Sequence, residues 1–410
     1  MAEKLSFESP RGMRDFYPAD MKWRNKVFDA FRAAGEAAGF EPYDACVVEN
    51  YELLARKAGE EVGEQIYHFY DKSERHIALR AEMTPTLARM VAQRQKELQF
   101  PLKWTTIAQC FRYERMTKGR KREHYQWNVD IIGEDSILAE VEVLGAACDA
   151  LKRMGLSPKD FKVHVSSRKF LGELLAGSGI DASKHAQVFL ALDKRGKMPD
   201  GDIAAMLKDG GLSESEIAAT FAIMDTKDYS RSSELVELFA LAETAGFAEC
   251  LEFDISVIRG LSYYTGIVFE CFDTAGEFRA IFGGGRYDNL LTTIGGAPTS
   301  AVGLGFGDVV VTELLKSRLG ESAAQSRKGV AVGFMFPGER EAAVRLAAKL
   351  RGEGECVDLA LKPQKPKKFF SHADSFGAAK AVFLGPDDVA KGVARLKDLE
   401  SREEKEICLN

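Results

Sequence analysis

The densest set of chemically useful side chains is Phe111-Arg112-Tyr113-Glu114-Arg115-Met116-Thr117-Lys118-Gly119-Arg120-Lys121-Arg122-Glu123, with six basic residues and one acidic residue from Arg112 to Arg122. A solvated hairpin tip has this composition, and so does a loop that grips a polyanion. Arg112 weighs toward the second, because it belongs to an apolar strand where an unpaired guanidinium is costly and needs a carboxylate or a ligand phosphate. Gly119 leaves the loop free to close over a ligand. The returning segment, Tyr125-Gln126-Trp127-Asn128-Val129-Asp130, alternates in polarity. As a strand it puts Gln126, Asn128 and Asp130 on one face and Tyr125, Trp127 and Val129 on the other. That polar row is either an exposed sheet edge or a cleft wall in which Gln126 accepts from an amine and Asp130 pairs with a polar side chain.

Glu82, in Leu79-Arg80-Ala81-Glu82-Met83-Thr84-Pro85, precedes a helical run from Thr86 to Gln95. Its carboxylate either favours the helix N-terminus or faces the cleft to bind an ammonium group. Downstream, Val257-Ile258-Arg259-Gly260-Leu261-Ser262-Tyr263-Tyr264-Thr265-Gly266 places an arginine beside paired tyrosines, and Gly283-Gly284-Gly285-Arg286-Tyr287 permits a close backbone approach to a ligand. No Gly-Lys-Ser/Thr follows, so this is not a P-loop. Together these residues supply cations, separate acceptors for an amine and for a polar side chain, and a glycine-lined wall, but no set of nucleophile, base and orienting group. Such a set suits attack by a carboxylate on the α-phosphate of ATP. A carboxylate is already ionised at neutral pH, so the step needs positioning, cations and magnesium rather than a general base.

Positioning them requires a framework. Asp20 to Ala38 has helical apolar spacing and Gly39 to stop it; Phe40 to Glu49 reads as a strand; Thr105–Tyr113 and Glu123–Ile132 read as an antiparallel hairpin with a long polar connector. From about 166 to 246 the pattern becomes helical with loop signals, which predicts an inserted helical subdomain. Strand character returns at Leu251–Ile258 and Ile267–Phe272, and a short helical pattern starts at Arg286. Ser317 to Lys328 is the candidate linker. Beyond it, strands at Gly329–Phe336, Cys356–Leu361 and Ala379–Gly385 alternate with helices near Glu339–Glu353 and Lys368–Ser375, predicting a mostly parallel α/β domain. The expected division is 1–326 and 327–410.

Composition excludes several classes. The 410 residues are 45% hydrophobic and 29% charged, an ordinary globular balance. No apolar run is long enough to span a bilayer, and the N-terminal residues lack a signal-peptide core. The seven cysteines contain no Cys-x-x-Cys pair, and no histidine stands at metal-ligand spacing from a cysteine or another histidine, so a reducing cytoplasm and no dedicated metal site are expected. The net charge of −6 hides a basic tail, since residues 327–410 carry 16 Lys and Arg against 13 Asp and Glu. A polyanion must meet local patches rather than a global field.

From Arg11-Gly12-Met13-Arg14-Asp15-Phe16 to the C-terminus the chain resembles histidyl-tRNA synthetase, a class II aminoacyl-tRNA synthetase. Phe111 to Gln126 is similar to motif 2 of that class, and Arg259-Gly260-Leu261-Ser262-Tyr263-Tyr264-Thr265-Gly266 to the histidine-specific signature. The resemblance implies an α+β catalytic domain with an antiparallel sheet flanked by helices, a helical insertion and a C-terminal α/β anticodon-binding domain. It also implies a homodimer that uses ATP with Mg2+ to activate L-histidine, then transfers it to histidine tRNA, with neither membrane nor DNA as a partner. Arg112 would contact the α-phosphate and the histidine carboxylate, Glu114 the adenine and Arg120 the distal phosphates. Glu82, Met83, Thr84 and Gln126 would hold the α-amino group, Asp130, Tyr263 and Tyr264 the imidazole end, and Arg259 the transition state. Lys362-Pro363-Gln364-Lys365-Pro366-Lys367-Lys368 would meet RNA phosphates or form a solvated turn.

Three positions depart from the family pattern. Gly303-Leu304-Gly305-Phe306-Gly307-Asp308-Val309-Val310 lacks the arginine that ends motif 3 and binds the γ-phosphate, Cys46 replaces the motif 1 proline, and Ala81 replaces a proline. A Gly-Asp ending resembles one branch of plant organellar and bacterial members. Two rivals share the catalytic fold. One is the histidine-sensing regulatory subunit of ATP phosphoribosyltransferase, which typically lacks the anticodon domain; the other is a synthetase for an amino acid such as proline or threonine, against which Asp130 and the paired tyrosines argue.

Overall fold

A computed structural model describes residues 6–56, 65–117, 119–195, 198–257, 264–324 and 327–409. The chain divides into two compact units, Met1–Glu321 and Ser322–Asn410. Strands of the first unit are β1 Glu41–Pro42, β2 Val48–Asn50, β3 His68–Tyr70, β4 His76–Leu79, β5 Leu102–Phe111, β6 Glu123–Ile132, β7 Phe161–Ser167, β8 Leu251–Phe253, β9 Ile267–Asp273, β10 Phe282–Arg286 and β11 Ala301–Gly307. Eight of them form one sheet in the order β1-β5-β6-β11-β10-β9-β7-β8, and β2-β4-β3 form a small second sheet. Every pairing from β5 through to β7 is antiparallel, and only the edge strands β1 and β8 join in parallel.

One face of this sheet is sealed by a helix, Pro18–Ala37. Pro18 pre-sets the first turn, and Trp23, Val27, Phe28, Phe31 and Ala34 form its buried stripe. Phe31 stacks on Trp127 with ring centroids 4.7 Å apart and meets Phe306 edge-on at 4.8 Å. All three side chains are at most 1% exposed, and each contributes about 1.5–3 kcal/mol relative to exposure. Trp127 therefore anchors the helix-covered face of β6, and strand alternation turns Gln126, Asn128 and Asp130 to the other face. A second helix, Leu138–Met154, ends at Gly155, whose φ of 101° suits a left-handed cap.

Five helices, from Arg168–Gly177 to Ser233–Thr244, lie between β7 and β8. The expected strand over 40–49 is divided between two sheets instead, β1 in the large one and β2 in the small one. The last bond to the large sheet is from the Tyr43 N–H to the Thr105 carbonyl at 2.9 Å, one residue past Pro42. The helix Asp308–Leu319 also overruns the start of the expected linker, with Lys316 and Arg318 in a last turn where cations are favourable.

In the second unit, β12 Val330–Phe334, β13 Val357–Leu359, β14 Lys380–Leu384, β15 Val393–Asp398 and β16 Glu404–Cys408 order as β13-β12-β14-β15-β16. The first three are parallel and the last two antiparallel, so the sheet is mixed rather than mostly parallel. Val330, Val332 and Phe334 pack with Leu346 of the helix Arg340–Gly352, while Ala331 packs with Phe369 of Pro366–Phe376. A layer of helix on each face explains why β12 is an unbroken buried run.

Candidate active site

On the sheet face opposite the helix Pro18–Ala37, a cavity enclosing about 860 Å3, open mouth included, is lined by Arg112, Glu114, Arg120 and Gln126 among others. Arg112 follows β5 instead of lying within it, and its N–H donates to the Arg122 carbonyl at 2.9 Å, extending the hairpin by one pair. Its guanidinium donates to the Ala81 carbonyl at 3.0 Å and stands 4.0 Å from Glu82 and 3.8 Å from Glu114. Arg120 approaches Glu114 at 3.0 Å, an ion pair without hydrogen-bond alignment. Arg122 is spent on the fold: its guanidinium lies 3.8 Å from the Tyr113 ring centroid and its side chain packs over Gly12.

Gln126, Asn128 and Asp130 each leave one buried side-chain oxygen with no hydrogen-bond partner among the described residues. An orphaned buried acceptor costs about 1–3 kcal/mol, so three in one row leave this face able to accept from a ligand. Asp130 accepts from the Tyr287 hydroxyl through its other oxygen at 2.6 Å. Burial pushes its carboxyl up to about 7. The buried Tyr43 hydroxyl is likewise without a partner, and burial with the nearby Asp130 charge raises its pKa well above the usual value. Glycines make room for this row. A Cβ on Gly303 would lie 1.9 Å from Asp130 Oδ1, and one on Gly305 2.6 Å from Gln126 Nε2.

The other predicted residues fall out differently. Thr84 opens the helix Thr84–Arg94, but the Met83 side chain is fully buried with Ala108 and Cys110, which makes it a packing residue. Tyr264 is buried, its ring 2.9 Å from where a Gly285 Cβ would stand, and Gly285 pairs with Gly303 beside Asp130. Arg259 and Tyr263 lie outside the described residues. Of the triple glycine, Gly283 lines the cavity, whereas Gly284 and Gly285 are hemmed in by Gly303 O and Ile267 O. Arg286 holds the fold through a bidentate pair with Glu140, both contacts at 2.7 Å.

Sequence reasoning did not find Tyr43, His124, Glu270, Arg279 or Tyr287. His124, Glu270 and Arg279 line the cavity. Burial, with Arg112 and Arg14 nearby, pushes the His124 imidazole down to about 3, so it is neutral near pH 7. Burial and the charges of Arg120 and Arg112 lower the Arg279 pKa. The available signal was a lone arginine, Arg279, entering the apolar run Ala280-Ile281-Phe282. At the end of β11, Asp308 is only 3% exposed; it accepts from Arg14 at 2.9 Å and from the Tyr125 N–H at 2.8 Å, tying the N-terminal segment to β6.

A family model described as histidyl-tRNA synthetase matches residues 12–307, and one described as anticodon binding domain matches 330–410. The chain belongs to the histidyl-tRNA synthetase family. It is 41% identical over 100% of its length to the histidine–tRNA ligase, chloroplastic/mitochondrial, of Arabidopsis thaliana, covering 86% of that protein. It is also 37% identical to the histidine–tRNA ligase of Opitutus terrae, with 98% of this chain and 96% of that one aligned. In fold, this synthetase resembles the crystal structure of histidyl-tRNA synthetase from Nostoc sp. PCC 7120, with a TM-score of 0.83, 23% identity and coverage of 99% and 97% of the two chains.

Proposed function

We propose that the chain is an active histidine–tRNA ligase whose cavity binds ATP and L-histidine side by side, with Arg112 between them. The observation that carries this reading is the row of unpartnered buried oxygens on Gln126, Asn128 and Asp130, running away from the cationic hairpin on one sheet face. Gln126 Oε1 accepts from the α-ammonium group and Asp130 Oδ2 from an imidazole N–H, with Glu82 and Thr84 beside the amino end and Tyr264 beside the ring. Arg112 holds the α-phosphate and the reacting carboxylate, Glu114 the adenine, and Arg120 the distal phosphates. By resemblance, Arg259 and Tyr263 complete the site.

The histidine carboxylate attacks the α-phosphorus, a new acyl–phosphate bond forms, and pyrophosphate leaves. No proton moves in this step, because the attacking carboxylate is already ionised. The terminal ribose hydroxyl of histidine tRNA then attacks the carbonyl carbon, its proton passes to a phosphate oxygen of the adenylate, the acyl–phosphate bond breaks and AMP departs. Mg2+, when bound with ATP, neutralises phosphate charge. No group of three or more potential metal-ligating side chains occurs among the described residues. Glu270, which also lines the cavity, is the carboxylate that would hold Mg2+.

The 330–410 match supports anticodon binding by the second unit. The free state of all seven cysteines supports a reducing cytoplasm, and no described helix is long and apolar enough to cross a membrane. A homodimer is supported by exposed Val48, Phe69 and Tyr70 on the small sheet, and light scattering would show twice the chain mass. Aminoacylation tests the whole reading: radiolabelled histidine should become acid-precipitable on a histidine-tRNA transcript only with ATP. No charging alongside measurable histidine binding would point to a histidine sensor instead.

A further inference from the structure

The missing motif 3 arginine leaves a question of charge, and Arg279 answers it from a neighbouring segment. Asp308, just past the strand where that arginine is expected, is committed to Arg14 and to the Tyr125 N–H. It is no source of positive charge. Arg279 stands three residues before β10. Phe282, the first residue of β10, pairs with Phe306 near the end of β11, and Arg279 and Val309, each just beyond those strand ends, both line the cavity. Among the described residues, no carboxylate or carbonyl pairs with the Arg279 guanidinium. Glu114, one of the acids whose charge it feels, is already paired with Arg120. The exposed Arg279 guanidinium stands among the charges of Arg112, Arg120, Glu114 and Glu270 without a hydrogen bond to any of them, so its donors are free for a polyanion that fills the cavity.

We propose that Arg279 binds the terminal phosphates of ATP, in the role left open by the arginine absent from Gly303–Val310. The proposal rests on the ATP-dependent reading of the cavity. The change of position matters, because the cation arrives from the β9–β10 connection and the start of the helix Asp308–Leu319 is released to anchor Arg14.

The test uses the full-length protein with Arg279→Gln and Arg279→Lys. In histidine-dependent ATP–pyrophosphate exchange, Arg279→Gln should raise the KM for ATP by about tenfold to a hundredfold, the range carried by a charge-assisted hydrogen bond. The KM for histidine should stay within twofold, and Arg279→Lys should recover part of the loss. By calorimetry, Arg279→Gln should weaken ATP but leave AMP and a non-hydrolysable histidyl-adenylate analogue within twofold of the parent, since neither carries distal phosphates. An unchanged ATP KM, or AMP weakened in step with ATP, would overturn the proposal. A parent with no histidine-dependent exchange would instead remove the activation reading, and the ATP-against-AMP comparison would still decide whether Arg279 grips distal phosphates.

Discussion

Arg286 and Arg112 stand on the same large sheet and hold their charge in opposite ways. Arg286 is saturated: two bonds to Glu140, one to the Glu134 carbonyl and one to the Ser136 carbonyl use most of its five donors. Arg112 makes one hydrogen bond to a carbonyl, and its carboxylate neighbours stay at 3.8 and 4.0 Å. The same contrast separates two aspartates. Asp308 has both oxygens engaged, whereas Asp130 leaves one buried oxygen bare. The saturated pair holds the sheet together, and the unsaturated pair keeps bonding capacity in reserve.

Substitutions can break this contrast from either side. The largest effect is expected at Arg112→Ala, which should lower kcat/KM in pyrophosphate exchange by about 10²- to 10³-fold while thermal unfolding changes little. Arg286→Ala should do the reverse. It leaves Glu140 buried and unpaired, at a cost of about 3–5 kcal/mol, so calorimetry should show a clear drop in Tm while folded material keeps its ATP KM within about threefold.

Asp130→Asn should raise the KM for histidine by roughly tenfold, the cost of one lost charge-assisted bond. It also carries a pH signature. With its pKa raised to about 7, the parent's carboxyl loses its proton as pH rises from 6 to 8, so histidine affinity should climb over that window and flatten in the variant. The stability sign is opposite: a raised carboxyl pKa costs the free protein stability as pH rises from the unfolded value toward 7. Asp130→Asn should therefore raise the Tm of the free protein at pH 8 more than at pH 5.

The smallest effect is expected in the second unit. Lys362, Lys365, Lys367 and Lys368 are exposed around the start of the helix Pro366–Phe376. Removing one that meets a phosphate should weaken tRNA binding modestly and reduce the salt slope by about one. No change in slope would make the run a solvated turn.

The hairpin was legible in the sequence because β5 and β6 are long and alternate, and alternation alone put Gln126 and Asp130 on the face opposite Trp127. The split of 40–49 between two sheets was not, because Pro42 allows a strand start as readily as a break. Strands β15 and β16 were missed because Val393–Asp398 and Glu404–Cys408 carry too many charges to stand out as apolar runs. Arg279 was hidden for another reason: it stands outside any strand, and only the folded cavity brings it beside the cationic hairpin. The triple glycine misled in the opposite sense, since two of its members serve close packing inside the sheet.

The account is tested most directly by ATP–pyrophosphate exchange on purified protein with magnesium, comparing histidine with each other standard amino acid and with none. The unsatisfied row ending in Asp130 predicts exchange with histidine alone. Exchange with another amino acid, or none with histidine despite calorimetric binding, would contradict it.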